Sequence, residues 1–159
     1  MSARLPLWLL LGGLLAACDV ASSAELVGRA SVIDGDTLEI HGERIRLEGI
    51  DALESRQTCA RNGAAWRCGQ SAALALSDWI GVRPVACAGS GRDRYNRVIA
   101  RCSVAGDDMQ AWLVTNGHAL AYRRYSMDYV PHEERAQAVG AGVWSGQFTA
   151  PWDWRRGKR

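Results

Sequence analysis

Residues 26–54 read LVGRASVIDGDTLEIHGERIRLEGIDALE, and three runs inside that stretch decide the fold. Leu26 to Ile33, Thr37 to His41 and Arg44 to Ile50 alternate in polarity or run apolar with β-branched residues, the pattern of strands that bury one face or both. Asp34-Gly35-Asp36 and His41-Gly42-Glu43 separate the runs with residues that tight turns select. The stretch predicts a three-strand meander.

Downstream, residues 68–80 carry Ala72, Leu76, Trp79 and Ile80 at helical spacing, and Gly81 follows as a stop signal. Arg83 to Ala88 and Arg97 to Val104 read as two more strands, joined by Gly89-Ser90-Gly91 and an arginine-rich segment. Asp107 and Asp108 can cap a helix bearing Met109, Trp112 and Leu113, which ends at Asn116-Gly117. A third helix starts near Pro131, with Glu133 and Glu134 in its first turn. The predicted class is α+β, mainly β: a five-stranded OB-fold β-barrel with about three helices, one of them inserted between the third and fourth strands.

Upstream of the meander the sequence reads as an export signal. Arg4 precedes an apolar run from Leu7 to Leu15, broken by Gly12 and Gly13 and too short to span a bilayer comfortably. Leu15-Ala16-Ala17-Cys18 matches the bacterial lipobox, which predicts removal of residues 1–17 and a lipid on Cys18. Cleavage after Ala24 is the alternative, since Ser22-Ser23-Ala24 offers small residues to a signal peptidase. The expected location is the periplasmic face of a membrane as a lipoprotein, or the periplasm or exterior as a released protein.

Of the 5 cysteines, Cys18 is taken by the lipobox. The even set Cys59, Cys68, Cys87 and Cys102 remains for an oxidising compartment. Four cysteines allow three pairings. Cys59 with Cys68 closes a short loop and Cys87 with Cys102 ties two consecutive strands, and that is the pairing we expect. No close pair of cysteines has metal spacing, and His41, His118 and His132 are scattered, so the pattern argues against zinc.

The formal charge of +2 in 159 residues selects no partner. Local charge says more: Arg92, Arg94, Arg97 and Arg101 cluster, Arg123 adjoins Arg124, and the chain ends Arg155-Arg156-Gly157-Lys158-Arg159. Most of these arginines are expected to solvate the surface. The tail, 146–159, adds Phe148, Trp152 and Trp154, just after Trp144. Packing over the barrel is its simpler reading; contact of its basic residues with anionic lipid or nucleic acid is the sharper one.

Chemistry concentrates where the meander ends. Asp34-Gly35-Asp36-Thr37 alone is a hairpin turn, but Arg44 to Glu54 follows directly and brings Asp51 and Glu54 to a strand end. A hard cation such as Ca²⁺ takes several oxygen ligands in irregular geometry, and Asp36 and Asp51 are the candidates. Arg46 and Asp51 lie an odd number of residues apart, so strict alternation would put them on opposite faces. An irregularity over residues 48–51, centred on Gly49, is therefore expected.

Val32-Ile33-Asp34-Gly35-Asp36-Thr37, Arg46 to Glu54, and Asp93-Arg94-Tyr95-Asn96-Arg97 together resemble the staphylococcal nuclease (thermonuclease) family in order and spacing, over roughly residues 25–145. The resemblance implies Asp36, Asp51 and the Ala52 backbone carbonyl as calcium ligands. It implies Arg46 and Arg97 as phosphate clamps and Glu54 as the group oriented toward the attacking water. Arg94, Tyr95 and Tyr122 match positions that contact bound nucleotide. Two departures stand out: Ala52 and Leu53 replace a threonine and a proline, and Asn96 replaces a glycine. Loss of proline removes rigidity from the Glu54 loop, and weaker metal affinity is the expectation.

The activity so implied is Ca²⁺-dependent, sequence-nonspecific cleavage of DNA and RNA, single-stranded or frayed duplex, leaving 3′-phosphate ends. A binding module of the same fold, without catalysis and anchored in the cell envelope, is the competing reading. No feature points to a protein partner, and a monomer is the default.

Overall fold

The computed structural model describes residues 25–158. The chain runs β1 (Glu25–Gly28), β2 (Ser31–Asp34), β3 (Thr37–Ile40), β4 (Glu43–Leu47), β5 (Ile50–Ala52), β6 (Cys59–Arg61), β7 (Ala64–Trp66) and helix α1 (Cys68–Ile80). It continues through β8 (Val85–Arg92), β9 (Val98–Val104), β10 (Asp107–Asp108), α2 (Met109–Thr115), β11 (Ala119–Ala121) and α3 (Val130–Val139). A short 3₁₀ turn (Gly142–Ser145) and α4 (Pro151–Trp154) complete it.

The main sheet has the order β1-β8-β9-β4-β3-β2, with β10 added beside β9. All its pairings are antiparallel except β4 with β9. The first sequence-predicted strand is in fact two: Leu26 faces Cys87 while Val32 faces Leu38, with Arg29 and Ala30 between them. Because β1 and β2 stand at opposite edges of the sheet yet adjoin in sequence, the sheet must curl until its edges meet. Counted with β1 and β2 as one bent strand and the two-residue β10 set aside, the sheet has the five strands of an OB-type barrel.

Leu38, Ile40, Ile45, Leu47, Val85, Ala100 and Val104 fill the barrel, closed below by Leu76 and Ile80 of α1 and Met109, Leu113 and Val114 of α2. α2 is capped as read from sequence: the Asp108 carboxylate accepts the Ala111 N–H at 2.8 Å. The Cys87–Cys102 disulfide joins directly opposed residues of β8 and β9. The Cys59–Cys68 disulfide ties β6 to the start of α1. Both are the pairs expected.

A second, smaller core lies under the tail: Leu53, Cys59, Cys68, Leu120 and Val143, covered by Trp66, Trp144, Phe148 and Trp152. Its hairpin, β6–β7, was not read from sequence although Asn62-Gly63 announces it; Asn62 and Gly63 take φ of 52° and 77°, as a two-residue I′ turn requires.

Candidate active site

The two ends of the β4–β5 segment explain how Arg46 and Asp51 come to face each other. Strand β4 stops at Leu47 and β5 starts at Ile50, with Gly49 at φ 76° between them, a conformation glycine adopts freely. After that bend, β5 leaves the main sheet and pairs with β11, so that Asp51 sits opposite Leu120. The Arg46 Nη2 then reaches Asp51 Oδ1 at 3.0 Å and the Ile50 carbonyl at 3.2 Å.

Asp36 arrives from the β2–β3 turn. Register places Thr37 opposite Arg46, and Asp36 Oδ2 lies 2.5 Å from Arg46 Nη1. That contact lacks hydrogen-bond alignment, leaving Nη1 buried without a hydrogen-bond partner. Asp36 Oδ2 instead accepts the Ala52 N–H at 2.7 Å. The approach depends on Gly35, where a Cβ would stand 2.7 Å from Ala52 Cβ and 3.2 Å from Ala72 Cβ.

Arg97 joins through β9, which runs beside β4. The Asp93 carboxylate grips it with Oδ2 at 2.8 Å from Nε and 2.7 Å from Nη2, while Oδ1 accepts the Arg97 and Tyr95 N–H groups. Arg97 Nη1 donates to Thr37 Oγ1 at 3.3 Å, and that hydroxyl donates to Asp36 Oδ1 at 3.2 Å. Asn96 stands at φ 62°, a region asparagine tolerates better than most residues, so it does the work of the family's glycine. Asp93 holds Arg97 in place and was not singled out from sequence; its spacing four residues before Arg97 was the available signal.

Glu54 follows Asp51 on a loop pinned by a wholly buried glutamine: Gln57 Oε1 accepts the Glu54 N–H at 3.2 Å, and Gln57 Nε2 donates to the Thr149 carbonyl at 2.5 Å. Leu53 is 1 % exposed within the smaller core. The loop expected to be soft for want of proline is thus fixed by packing.

Arg155 was not foreseen at this site. Its Nη1 lies 3.0 Å from Asp51 Oδ1 and 2.6 Å from Glu54 Oε1, and its Nη2 lies 2.6 Å from Asp51 Oδ2. Arg156 and Lys158 turn back onto Asp153. Burial pushes Asp51 up while the Arg155 hydrogen bond pulls it down, and the net direction is upward. Burial, then the Asp36 charge, push Asp34 up to about 6.

The remaining expected residues lie around this network. Tyr95 is exposed, with the Arg94 and Arg97 guanidiniums 4.8 and 5.5 Å from its ring centre. Tyr122 follows β11, donates its N–H to the Gly49 carbonyl, and stacks on Trp152 at 5.5 Å with the planes 4° apart. Beside them Arg123, Arg124 and Arg156 line an open hollow of about 280 Å³. Cys18 lies outside the described residues.

The donor set fits a hard cation. Two carboxylates, Asp36 and Asp51, converge on the one Arg46 guanidinium, and the Ala52 backbone touches Asp36. Oxygen donors of this kind suit Ca²⁺. Among the described residues no three His, Cys, Asp or Glu side chains form a metal-holding group by themselves, so a carbonyl and waters would complete the shell.

Residues 44–146 match the family "Staphylococcal nuclease homologue". The chain is 40 % identical over 141 residues to the Rhizobium meliloti "Succinoglycan biosynthesis protein ExoI", covering 86 % of this chain and 74 % of that one. It is 33 % identical over 156 residues to an "Uncharacterized endonuclease" of Haemophilus influenzae, covering 93 % and 82 %. It is 30 % identical over 119 residues to the rice "Probable staphylococcal-like nuclease CAN2", covering 73 % of this chain and 30 % of that longer protein. The chain belongs to the staphylococcal nuclease homologue family.

Proposed function

We propose that this protein is a Ca²⁺-dependent endonuclease that hydrolyses phosphodiester bonds of DNA and RNA without sequence preference, leaving 3′-phosphate ends. The observation that carries it is the continuous network from Asp93 through Arg97, Thr37, Asp36 and Arg46 to Asp51, with Glu54 joined to Asp51 through Arg155, which gathers the two arginines and three carboxylates named for the chemistry into one cluster.

Asp36, Asp51 and the Ala52 carbonyl would hold the cation, which when bound supplies positive charge against a phosphate oxygen. Arg46, held between Asp36 and Asp51, sets its guanidinium charge against a non-bridging oxygen. Arg97, aligned by Asp93, donates to the phosphate and the departing 5′ oxygen, where negative charge grows. Glu54 orients the water and accepts its proton. The new bond joins water oxygen to phosphorus, the bond to the 5′ oxygen breaks, and that oxygen leaves as an alkoxide hydrogen-bonded by Arg97 and is protonated from solvent to the alcohol, while Glu54 returns the proton it accepted to solvent. Arg94, Tyr95 and Tyr122 contact the substrate through its backbone and base faces, contacts that read no sequence.

The test is cleavage of plasmid and single-stranded DNA and of RNA by the purified protein with Ca²⁺ and with chelator, alongside Glu54→Ala and Arg97→Ala. Calcium-dependent cutting that both variants lose is expected. No cutting, or cutting that both variants retain, sinks the enzyme. The second reading, a non-catalytic binding module, draws on Arg155 closing over Asp51 and Glu54, and would show binding to the same nucleic acids without cutting.

We also propose export with a lipid on Cys18, the membrane anchor implied by the lipobox. The mass of the mature N-terminus separates a lipidated Cys18 from a free Glu25.

A further inference from the structure

The C-terminal segment crosses the site on a defined path. Ala60 and Gln147 exchange backbone hydrogen bonds of 2.9 and 2.8 Å, Gln57 holds the Thr149 carbonyl, and Pro151 is buried. From there Trp152 lies flat on Tyr122, and Arg155 reaches down to Asp51 and Glu54. Asp51 is 0 % exposed, and both of its oxygens are taken by arginine, Oδ1 shared between Arg46 and Arg155 and Oδ2 held by Arg155.

These are the oxygens that a cation and the reacting water need under the function proposed above, on which this inference rests. Trp152 covers a face of the tyrosine expected to meet a nucleotide. One short segment therefore occupies both halves of the site, ionic and aromatic, through two unrelated contacts.

We propose that the C-terminal segment is an autoinhibitory strap: Arg155 stands in for the metal cation at Asp51 and occupies the Glu54 carboxylate that would meet the water, Trp152 stands in for a nucleotide base on Tyr122, and the strap lifts when Ca²⁺ binds. A guanidinium and a metal ion cannot take the same carboxylate oxygens, so each weakens the other to the same degree. The strap is built to be released. The Arg155 side chain is 43 % exposed, its ion pairs among the described residues are to Asp51 and Glu54, and beyond it Arg156 and Lys158 bond within the segment itself, to Asp153. The apparent metal affinity of the intact chain is then its intrinsic affinity reduced by the fraction of molecules with the strap lifted.

The experiment is calorimetric titration of the metal-free full-length mature protein with Ca²⁺ for wild type, Arg155→Ala and Trp152→Ala, with hydrogen exchange of residues 150–158 followed by mass spectrometry. Arg155→Ala is expected to tighten Ca²⁺ binding about tenfold or more, since a bidentate charge-assisted contact opposes the metal in wild type. Trp152→Ala removes no charged group and contacts neither Asp36 nor Asp51, and it shifts Ca²⁺ affinity the same way; it serves alone should Arg155→Ala fold poorly. Wild-type exchange in 150–158 is expected to quicken when Ca²⁺ is added. Affinity unchanged or weakened in the variants, exchange that slows or stays constant on adding Ca²⁺, or no Ca²⁺ binding by any form, overturns the strap. If the variants bind Ca²⁺ more tightly yet cut nothing, the strap stands and the nuclease reading falls. If the protein cuts but the variants bind no better, the strap falls alone.

Discussion

Replacing Gly69 by alanine tests whether Glu54 must stay where the fold puts it. A Cβ at position 69 would lie 1.7 Å from the Glu54 carbonyl oxygen, 2.5 Å from its carbon and 3.1 Å from the Ser55 nitrogen. To restore an ordinary contact the Glu54 backbone and the first turn of α1 must separate by roughly 1.5 Å, a displacement that a packed interior resists. Neither side yields easily. Cys68 is tied to Cys59, and the threatened oxygen accepts the N–H of the buried Gln57 at 2.7 Å. Overpacking of this kind costs about 1–3 kcal/mol of stability. Moving a reacting group by about 1 Å costs on the order of a hundredfold in rate. The assay is urea unfolding together with Ca²⁺-dependent nicking of supercoiled plasmid, under conditions where the variant is folded, with the exposed neighbour Gln70→Ala as control. A Gly69→Ala protein with wild-type urea midpoint and turnover within about threefold of wild type would refute the claim that this contact positions Glu54.

Asp93→Asn removes the charge that holds Arg97 at two points, so DNA cleavage is expected to fall about tenfold or more while the urea midpoint changes little. Burial depresses the His118 pKa below 6.5, so the unfolded chain takes up a proton before the folded one does. Stability owed to this residue is therefore intact above 6.5 and declines as pH falls through that value toward the folded pKa. His118→Gln should flatten the difference in urea midpoint between pH 7.5 and pH 5.5. Replacing Cys87 and Cys102 together by alanine, which opens a loop of sequence separation 15, is expected to cost about 3 kcal/mol by the chain-entropy estimate. Opening the Cys59–Cys68 loop should cost less in stability and more in activity, because that bridge fixes the helix start against which Glu54 rests.

The meander was legible because its period and its turns agree: Leu38, Ile40, Ile45 and Leu47 all face the core, and the turn residues lie where the chain reverses. The site was legible for the same reason, since Asp36, Arg46, Asp51 and Glu54 fall within one local stretch whose strand ends meet. The parity conflict between Arg46 and Asp51 even located the Gly49 bend. What alternation could not show was the break at Arg29–Ala30, because both halves of that run keep strand character. Only the distant partners of the two halves, Cys87 for Leu26 and Leu38 for Val32, reveal that the run closes the barrel.

The tail was read correctly as packing and incompletely as chemistry. From sequence its basic residues were read toward anionic lipid or nucleic acid; the protein's own carboxylates went unconsidered, because nothing local links Arg155 to Glu54 across a sequence separation of 101. In the fold Trp152 stacks on Tyr122 and Arg155, three residues on, pairs with Asp51 and Glu54. The same tail also supplies, through Trp144, Phe148, Trp152 and the Thr149 carbonyl, the packing that holds Leu53 and Gln57 and hence Glu54. It is buttress and strap at once. Deleting it should therefore loosen Glu54 while freeing Asp51, and the two effects oppose each other in any activity measurement. Arg155→Ala separates them in activity, because it removes the guanidinium and leaves the aromatic packing in place.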